Sequence, residues 1–386
     1  MKAYPNLIEG VIEVLVQTFG KHIYADKVIP AILKENKKWG SRDRRFVASH
    51  SYEIIRNWRL LWHILGQEPS MKRKHLMELF DAYWNWLEAG SEIPEGLPLG
   101  VVESYAAWFD ERASHELGDH WPALAHALNQ PAFVVLRNNT LKQARESLIE
   151  ILTKEGIDCE ASDVADEAVV LAKRPQLMHL QSYKKGRFEI QDGGSQLIVQ
   201  HLDLQPGDRF FDACCGAGGK TIQAAAIMGN QGEILAMDPN DKALTECRRR
   251  AKRNGIDIIT TESIKRPASV LVHQAWADKL LLDVPCSGSG VIRRDVDSKW
   301  KLQPEHLDKT IQLQKDILHK YHSTLKPGGT MVYATCSILR SENEDQVASF
   351  MADFGEDFTL VDEFRLSPEH LHSDGYFIAI FHKHDD

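Results

Sequence analysis

From Gly193 onward, short apolar runs alternate with helix-patterned stretches, and this alternation limits the possible folds more than any other feature of the chain. Arg209 to Ala213 reads as a first strand, followed by a glycine-rich turn and a helix starting near Lys220. Glu233 to Met237 reads as a second strand ending at Asp238, and the helix Lys242 to Arg253 stops at Asn254-Gly255. Two more strands precede Asp283-Val284-Pro285-Cys286. A long helix then runs from Pro304 to Thr324, and Lys326-Pro327-Gly328-Gly329 turns into a strand from Thr330. Glu342 to Met351 is a helix and Tyr376 to Phe381 a last strand. Strands that alternate with helices in this way predict a mainly parallel sheet covered on both faces. In such a sheet ligands bind at the carboxyl ends of the strands, so residues just past a strand become the candidates for chemistry.

The rest of the chain follows other periods. Leu7, Ile8, Val11, Ile12, Leu15, Val16 and Phe19 share one helical stripe, and helical patterning continues to Leu128. A helical bundle satisfies these stripes without any function. At Asn129-Gln130-Pro131 the period changes. Ala132 to Arg137, Val169 to Leu171 and Arg187 to Ile190 read as strands, and Asn138-Asn139-Thr140 reads as the cap of a helix from Leu141 to Glu155. A chain of 386 residues is long enough for two or three such domains.

Composition excludes several classes. Hydrophobic residues at 43% and charged residues at 26% are those of a globular protein. No apolar run reaches membrane-spanning length, and Glu9 and Glu13 interrupt the amino-terminal stretch, so neither a membrane span nor a signal peptide is expected. Six cysteines without a C-x-x-C pair make neither a disulfide framework nor a zinc site, and no metal is expected. Reduced thiols and a cytoplasmic monomer are the expectation. The net charge of −9 is not that of a nucleic-acid binder. Basic clusters nevertheless occur at Lys37 to Arg45, Lys72 to Lys74, Lys184 to Arg187, Arg248 to Arg253 and Arg293-Arg294. Lys37 to Arg45 and Arg248 to Arg253 are expected to carry phosphate contacts.

Three strand ends carry the chemistry. Asp283 and Cys286 follow the apolar Leu280-Leu281-Leu282, and Cys336 ends Met331-Val332-Tyr333-Ala334-Thr335. A lone cysteine is more often a small buried hydrophobe than a reagent. Two of them at strand ends, beside an acid, suit covalent catalysis. The turn Cys214-Cys215-Gly216-Ala217-Gly218-Gly219-Lys220 lies between strand and helix, where glycines let a backbone approach a ligand. It fits neither a P-loop, for want of glycine at Cys214, nor strictly a dinucleotide fingerprint, for want of glycine at Thr221. An S-adenosylmethionine turn remains, with Asp238 placed to receive ribose hydroxyls.

The segments Asp212 to Thr221, Asp238, Asp283 to Arg294, and Tyr333 to Ser337 with Glu342-Asn343-Glu344 resemble the motifs of the Nop2/Sun family of RNA (cytosine-5)-methyltransferases. Gln191 to Gln196, Asp374 to Phe377 and Arg137 to Thr140 resemble the family's flanking motifs, and Trp39 to Phe46 is similar to the NusB-like helical domain of its small-subunit ribosomal subgroup. The resemblance implies a multidomain chain: a NusB-like all-α RNA-binding domain (1–128), a small α+β RNA-binding module (129–192) and a Rossmann-like methyltransferase catalytic domain (193–386). It implies methylation of carbon 5 of a single-stranded or loop cytosine, in small-subunit ribosomal RNA or in transfer RNA. Cys336 is then the nucleophile, Asp283 the group at ring N3, Cys286 an aid to release, and Lys220 a cation that favours thiolate. S-adenosyl-L-methionine would lie on Cys214 to Lys220, Asp238 and Asp283. The family's Ala-Ala-Pro is replaced by Cys215-Gly216-Ala217, and Glu262 is the nearest substitute for its third-strand acid. A non-catalytic RNA-binding assembly factor with the same fold is the alternative, resting on that altered turn.

Overall fold

The computed structural model describes residues 4–266, 268–369 and 373–385, so the outermost residues of the first and last expected domains lie outside the described ones. The chain divides into two compact units, 4–131 with 291–306, and 132–290 with 307–385. Sequence patterning placed all of 193–386 in one domain and made 129–192 another. The division here differs on both counts.

The helical unit starts with Pro5–Leu15, whose Leu7, Val11, Ile12 and Leu15 stripe is buried as its spacing requires. The helices Ala25–Glu35, Ser41–Arg56, Trp58–Leu65 and Arg73–Glu88 close a core around Ile54, Leu61, Trp62, Leu79 and Phe80. Trp39, which the sequence groups with a basic cluster, belongs to this core. A Cβ added at Gly10 would stand 2.6 Å from its ring, so glycine there makes room for the indole. Arg44 is structural as well, bonding the carbonyls of Trp39 at 3.0 Å and Leu33 at 2.5 Å. That part of the Lys37 to Arg45 cluster is therefore not available to phosphate.

The segment Val291–His306 belongs to this unit because its side chains complete the unit's core. Val296 joins the apolar cluster, and the Trp300 indole donates to Ile55 O at 2.9 Å. Lys299 is buried at 2% exposure. Its ammonium reaches Arg56 O (2.8 Å), Asn129 Oδ1 (2.9 Å) and Glu103 O (3.2 Å) and lies over the Tyr105 ring. Burial, then the neighbouring Arg56, pull its pKa well below the usual lysine value.

The second unit holds two sheets. The smaller has the order β2-β3-β1-β4, all antiparallel, from β1 (Val134–Asn138), β2 (Cys159–Ala161), β3 (Ala168–Leu171) and β4 (Phe188–Ile190). The helix Arg145–Lys154 covers it through Leu148 and Leu152. That helix starts four residues later than the sequence predicts. Asn139 does not cap it; its amide instead donates to Gly186 O (2.8 Å) and Asn254 O (3.1 Å).

The larger sheet has seven strands: β5 (Arg209–Asp212), β6 (Glu233–Asp238), β7 (Ile259–Ser263), β8 (Ala277–Asp283), β9 (Leu325–Thr335), β10 (Phe358–Leu366) and β11 (Tyr376–Lys383). Their order is β7-β6-β5-β8-β9-β11-β10, parallel from β7 through β9 and antiparallel at β11 and β10. β9 starts before the expected turn: the pairing jumps from Ala277–Leu325 to Lys279–Thr330, so residues 326–329 form a bulge. From β5 the chain goes to β6 on one side and later returns to β8 on the other. The order thus reverses beside β5, and in sheets of this kind ligands bind at such a reversal, here the carboxyl ends of β5, β8 and β9.

The small sheet is held to the large one by Glu189 on β4, which is 3% exposed. Arg250 meets it at 2.9 Å, Arg253 at 2.5 Å and the Asn254 amide at 2.5 Å. Arg250 also donates to Ala217 O, behind the glycine turn, at 2.9 Å. The expectation that Arg248 to Arg253 track phosphate is therefore corrected for Arg250 and Arg253, which neutralise a buried carboxylate; Arg248, Arg249 and Lys252 stay exposed, Arg249 paired with Glu246.

Replacing Lys299 tests the helical core. Lys299→Met removes three hydrogen bonds but also the cost of burying an ammonium, and should lower unfolding free energy by about 1–2 kcal/mol. Lys299→Ala leaves a cavity too and should cost about 3–5 kcal/mol. Urea denaturation should rank the two in that order; equal stability of both with the parent would remove Lys299 from the core.

Candidate active site

Asp212 ends β5 and is 1% exposed. Thr221 Oγ1 donates to its Oδ2 at 2.7 Å, while its buried Oδ1 has no partner among the described residues. Burial pushes its carboxyl up to about 7, with Asp283 adding to the shift against the Thr221 hydrogen bond and Lys220. Asp212 was read only as part of a motif. What marks it is burial, which its place in an apolar run already hinted at.

The turn after Asp212 takes left-handed backbone at Gly216 (φ 52°) and Gly218 (φ 80°). Above Gly216 a Cβ would meet nothing within 4 Å, whereas at Gly218 it would stand 2.4 Å from Cys247 Sγ. The turn is therefore open on one side and packed on the other. Asp238, at the tip of β6, braces it by accepting from Gly216 N at 2.9 Å and Asn240 N at 2.8 Å. The two cysteines of the turn point elsewhere. Cys215 shares a hydrogen bond with Cys247, which with burial pushes its thiol far up, and Cys214 packs against the sheet core. Only the backbone of these two residues is left to serve a ligand. Glu262 sits one residue short of the β7 tip, beside Met237 rather than Asp238, and its carboxylate lies 3.3 Å from His273.

Lys220 opens the helix Gly219–Ile227 and reaches across to Asp283 Oδ2, at the tip of β8, at 2.6 Å. Burial works against its ammonium. Asp283 first, then Cys336 and Asp212, outweigh it and move the Lys220 pKa up. The structure thus gathers four of the expected site residues, because Cys286 and Cys336 lie at the same edge with their sulfurs 3.1 Å apart. The hydrogen bond to Cys336, then burial, push the Cys286 thiol well up.

Backbone geometry brings the sulfurs together. Asp283 pairs with Ala334 at the strand ends, and Val284 N donates to Ala334 O at 3.1 Å. Gly290 N then donates to Cys336 O at 2.8 Å. A Cβ at Gly290 would lie 2.9 Å from that oxygen and 2.1 Å from Gly375 O, so a side chain there would force the loops apart. Beneath the thiols, Glu342 accepts from Ser287 and Ser337, the residues that follow the two cysteines.

This strand order, with a glycine turn after its first strand and reactive groups at the next two strand tips, defines a Rossmann-like methyltransferase fold carrying a small ferredoxin-like sheet. The model of the 16S rRNA methyltransferase RsmB/F family matches residues 199–382, and that of the RsmF/B-like ferredoxin-like domain matches residues 105–177. The chain belongs to the RsmB/F family. It is 33% identical over 285 residues to ribosomal RNA small subunit methyltransferase B of Pectobacterium carotovorum, covering 71% of this chain and 65% of that one. It is 31% identical over 279 residues to the protein of that name from Proteus mirabilis, covering 72% and 66%. The matched region thus spans just under two thirds of these relatives. A methyltransferase homolog protein from Pyrococcus horikoshii, 28% identical, superposes with a TM-score of 0.65 over 74% of this chain and 97% of its own. Among the described residues, no helix is long and apolar enough to cross a membrane.

The buried Asp212 gives a pH signature. Its folded pKa is raised from 3.8 to about 7, so the stability it contributes is full below about pH 4 and is lost as pH rises through 7. The loss is at most about 4 kcal/mol. Urea unfolding at pH 5 and pH 8 should show Asp212→Asn gaining on the parent protein at the higher pH. An unchanged difference between the two would contradict a protonated Asp212.

Proposed function

We propose that this chain is an S-adenosyl-L-methionine-dependent RNA (cytosine-5)-methyltransferase acting on small-subunit ribosomal RNA through a covalent adduct at Cys336. One observation carries the reading: two thiols 3.1 Å apart stand at the strand tips that also hold the Lys220–Asp283 pair. A metal-free C–C bond formation at an electron-poor ring needs a nucleophile, a proton source and a way to release the enzyme, and this edge provides all three.

The cofactor fits on the turn. Open space above Gly216, two left-handed glycines and the Asp238 carboxylate at the β6 tip suit a small cationic nucleoside, with the side chains of Cys214 and Cys215 turned away. Bound there, it supplies an electrophilic methyl group on a sulfonium. The chain's own residues do the rest. The Cys336 thiolate adds to carbon 6 of cytosine, and the ring electrons move toward carbon 5 as N3 takes a proton that Asp283 relays from the Lys220 ammonium. Nucleophilic catalysis of this kind divides one hard step into two easier ones. Carbon 5 takes the methyl group and then loses its proton to solvent. The re-formed double bond expels Cys336, to which the Cys286 thiol can donate a proton, and N3 returns its proton through Asp283 to Lys220. Until the transfer to N3 the Lys220 ammonium stands beside Cys336, which favours thiolate over thiol.

The target base must leave its stack to reach a crevice at strand tips, which favours loops or single strands. We assign RNA binding in part to the helical unit, read as NusB-like. A cavity of about 700 Å³ there is lined by Arg42, Arg45 and Asp43 with Tyr4, Phe46 and His50, so two cations and several rings could meet a nucleotide beside one acid. The protein is expected to work as a cytoplasmic monomer.

The division of labour between the thiols can be tested directly. Cys286→Ala incubated with substrate RNA and cofactor should accumulate a protein–RNA adduct that survives denaturing electrophoresis, and Cys336→Ala should give none. The reverse pattern would exchange the two roles, and no adduct with either would refute covalent catalysis by this pair.

A further inference from the structure

The proposed reaction needs both sulfurs to face one ring, yet the two cysteines sit on loops fifty residues apart in sequence. Main-chain pairing of β8 with β9 fixes the strands only as far as Asp283 and Ala334. Beyond that point the Pro-Cys and Thr-Cys loops are joined by Gly290 N on Cys336 O (2.8 Å) and by Ser289 Oγ with Ser337 Oγ (3.0 Å) and Ile338 N (3.0 Å), and one buried carboxylate reaches the residues next to both cysteines. Glu342 is wholly buried. Its Oε1 accepts from Ser287 N at 2.7 Å and from Gln314 Nε2 at 3.0 Å. Its Oε2 accepts from Ser287 Oγ at 2.5 Å and from Ser337 Oγ. Each serine directly follows a cysteine, so one carboxylate holds the backbone next to both thiols.

The surroundings of Glu342 are fixed in turn. Its own carbonyl accepts from Tyr333 OH at 2.7 Å, on the strand that leads to Cys336. Gln314 donates to Pro285 O at 2.9 Å as well as to the carboxylate, tying down the residue before Cys286. Asn343 accepts from Thr335 Oγ1 at 2.6 Å and donates to Ser337 O at 2.9 Å, closing the other loop. None of the four groups on the carboxylate is a cation. A buried carboxylate with four neutral donors is costly to desolvate, and hydrogen bonds offset that cost only while all are made.

We propose that Glu342 is a positioning residue, a hydrogen-bonded brace that sets the distance between the Cys286 and Cys336 sulfurs by holding Ser287 and Ser337 on one carboxylate. The inference rests on the covalent reading above for its catalytic meaning, but the geometry it asserts can be measured without RNA. The pattern of donors makes the claim sharp. Two N–H groups address Oε1, which a glutamine carbonyl can replace, and two hydroxyls address Oε2. Hydroxyls rotate to accept as readily as they donate, so a glutamine amide can replace that oxygen too. Glu342→Gln should therefore keep the brace while losing the charge, and Glu342→Ala should lose both. If Glu342 acted by its charge on the thiols, the two variants would behave alike.

The probe is phenylarsine oxide, which condenses with two neighbouring thiols, forming two As–S bonds and releasing one water. Mass spectrometry of the digested protein reads the bridged Cys286–Cys336 peptide pair, and circular dichroism checks the fold. The parent protein and Glu342→Gln should bridge to the same extent. Glu342→Ala should bridge about tenfold less, and its kcat on RNA should fall about 100-fold with KM little changed, the scale expected when a reacting group is displaced by about 1 Å. Should Glu342→Ala fail to fold, the double variant Ser287→Ala, Ser337→Ala removes both hydroxyls from Oε2 and should lower bridging in the same direction. Parent-like bridging in a folded Glu342→Ala, or in the double serine variant, overturns the brace, and so does a glutamine variant that behaves as alanine. If the parent bridges as expected but transfers no methyl group, the brace stands and the methyltransferase reading falls.

Discussion

Two sulfur atoms 3.1 Å apart in a half-buried crevice cannot both be anions, and much of this molecule is arranged around that constraint. One proton must be shared, and the asymmetry of the surroundings decides which sulfur keeps it. The hydrogen bond to Cys336, burial and the nearby Glu342 carboxylate all push the Cys286 thiol up. Lys220 stands toward Cys336 and is itself held charged by Asp283. The site is therefore asymmetric before any ligand arrives, with a thiol pushed up on one loop and a cation beside the sulfur on the other. The parallel pairing of β8 with β9 and the missing side chain at Gly290 exist, in physical terms, to permit this approach.

The same economy governs the charges farther out. Arg250 and Arg253 look in sequence like a surface for phosphate, but they neutralise Glu189 and so lock the small antiparallel sheet against the helix Asp241–Asn254. Because Arg250 also supports Ala217 from behind, the glycine turn and the small sheet share one anchor. A basic run is a statement about composition; whether it faces solvent depends on a carboxylate some sixty positions away.

Elements set by local pattern were legible from the sequence. β5, β6, β8, β9 and β11 are apolar runs between turn signals, and the strand-end positions of Asp283, Cys286 and Cys336 follow from them. What escaped has physical reasons. β10 is an edge strand, largely exposed and interrupted by Asp362 and Glu363, so it lacks the apolar run that marks a buried strand. The helix Gly193–Gln200 begins with two glycines, which carry no helix signal. Its cap Asp192, and the close packing of Gly193 on Val164 and Gly194 on Ser373, appear only in three dimensions. The segment Val291–His306 completes the core of the helical unit although it follows the Pro-Cys loop in sequence. The partners of Glu342 come from loops and a helix far apart in the chain, so no spacing rule could have announced them.

The central claim is chemical: a methyl group is placed on carbon 5 of cytosine in RNA. Small-subunit ribosomal RNA lacking the modification can be incubated with the protein and isotopically labelled S-adenosyl-L-methionine, digested to nucleosides and separated by liquid chromatography with mass detection. The account predicts that the label appears in 5-methylcytidine and in no other nucleoside. Label in another methylated nucleoside, or none at all with a folded protein that binds the cofactor, would contradict it.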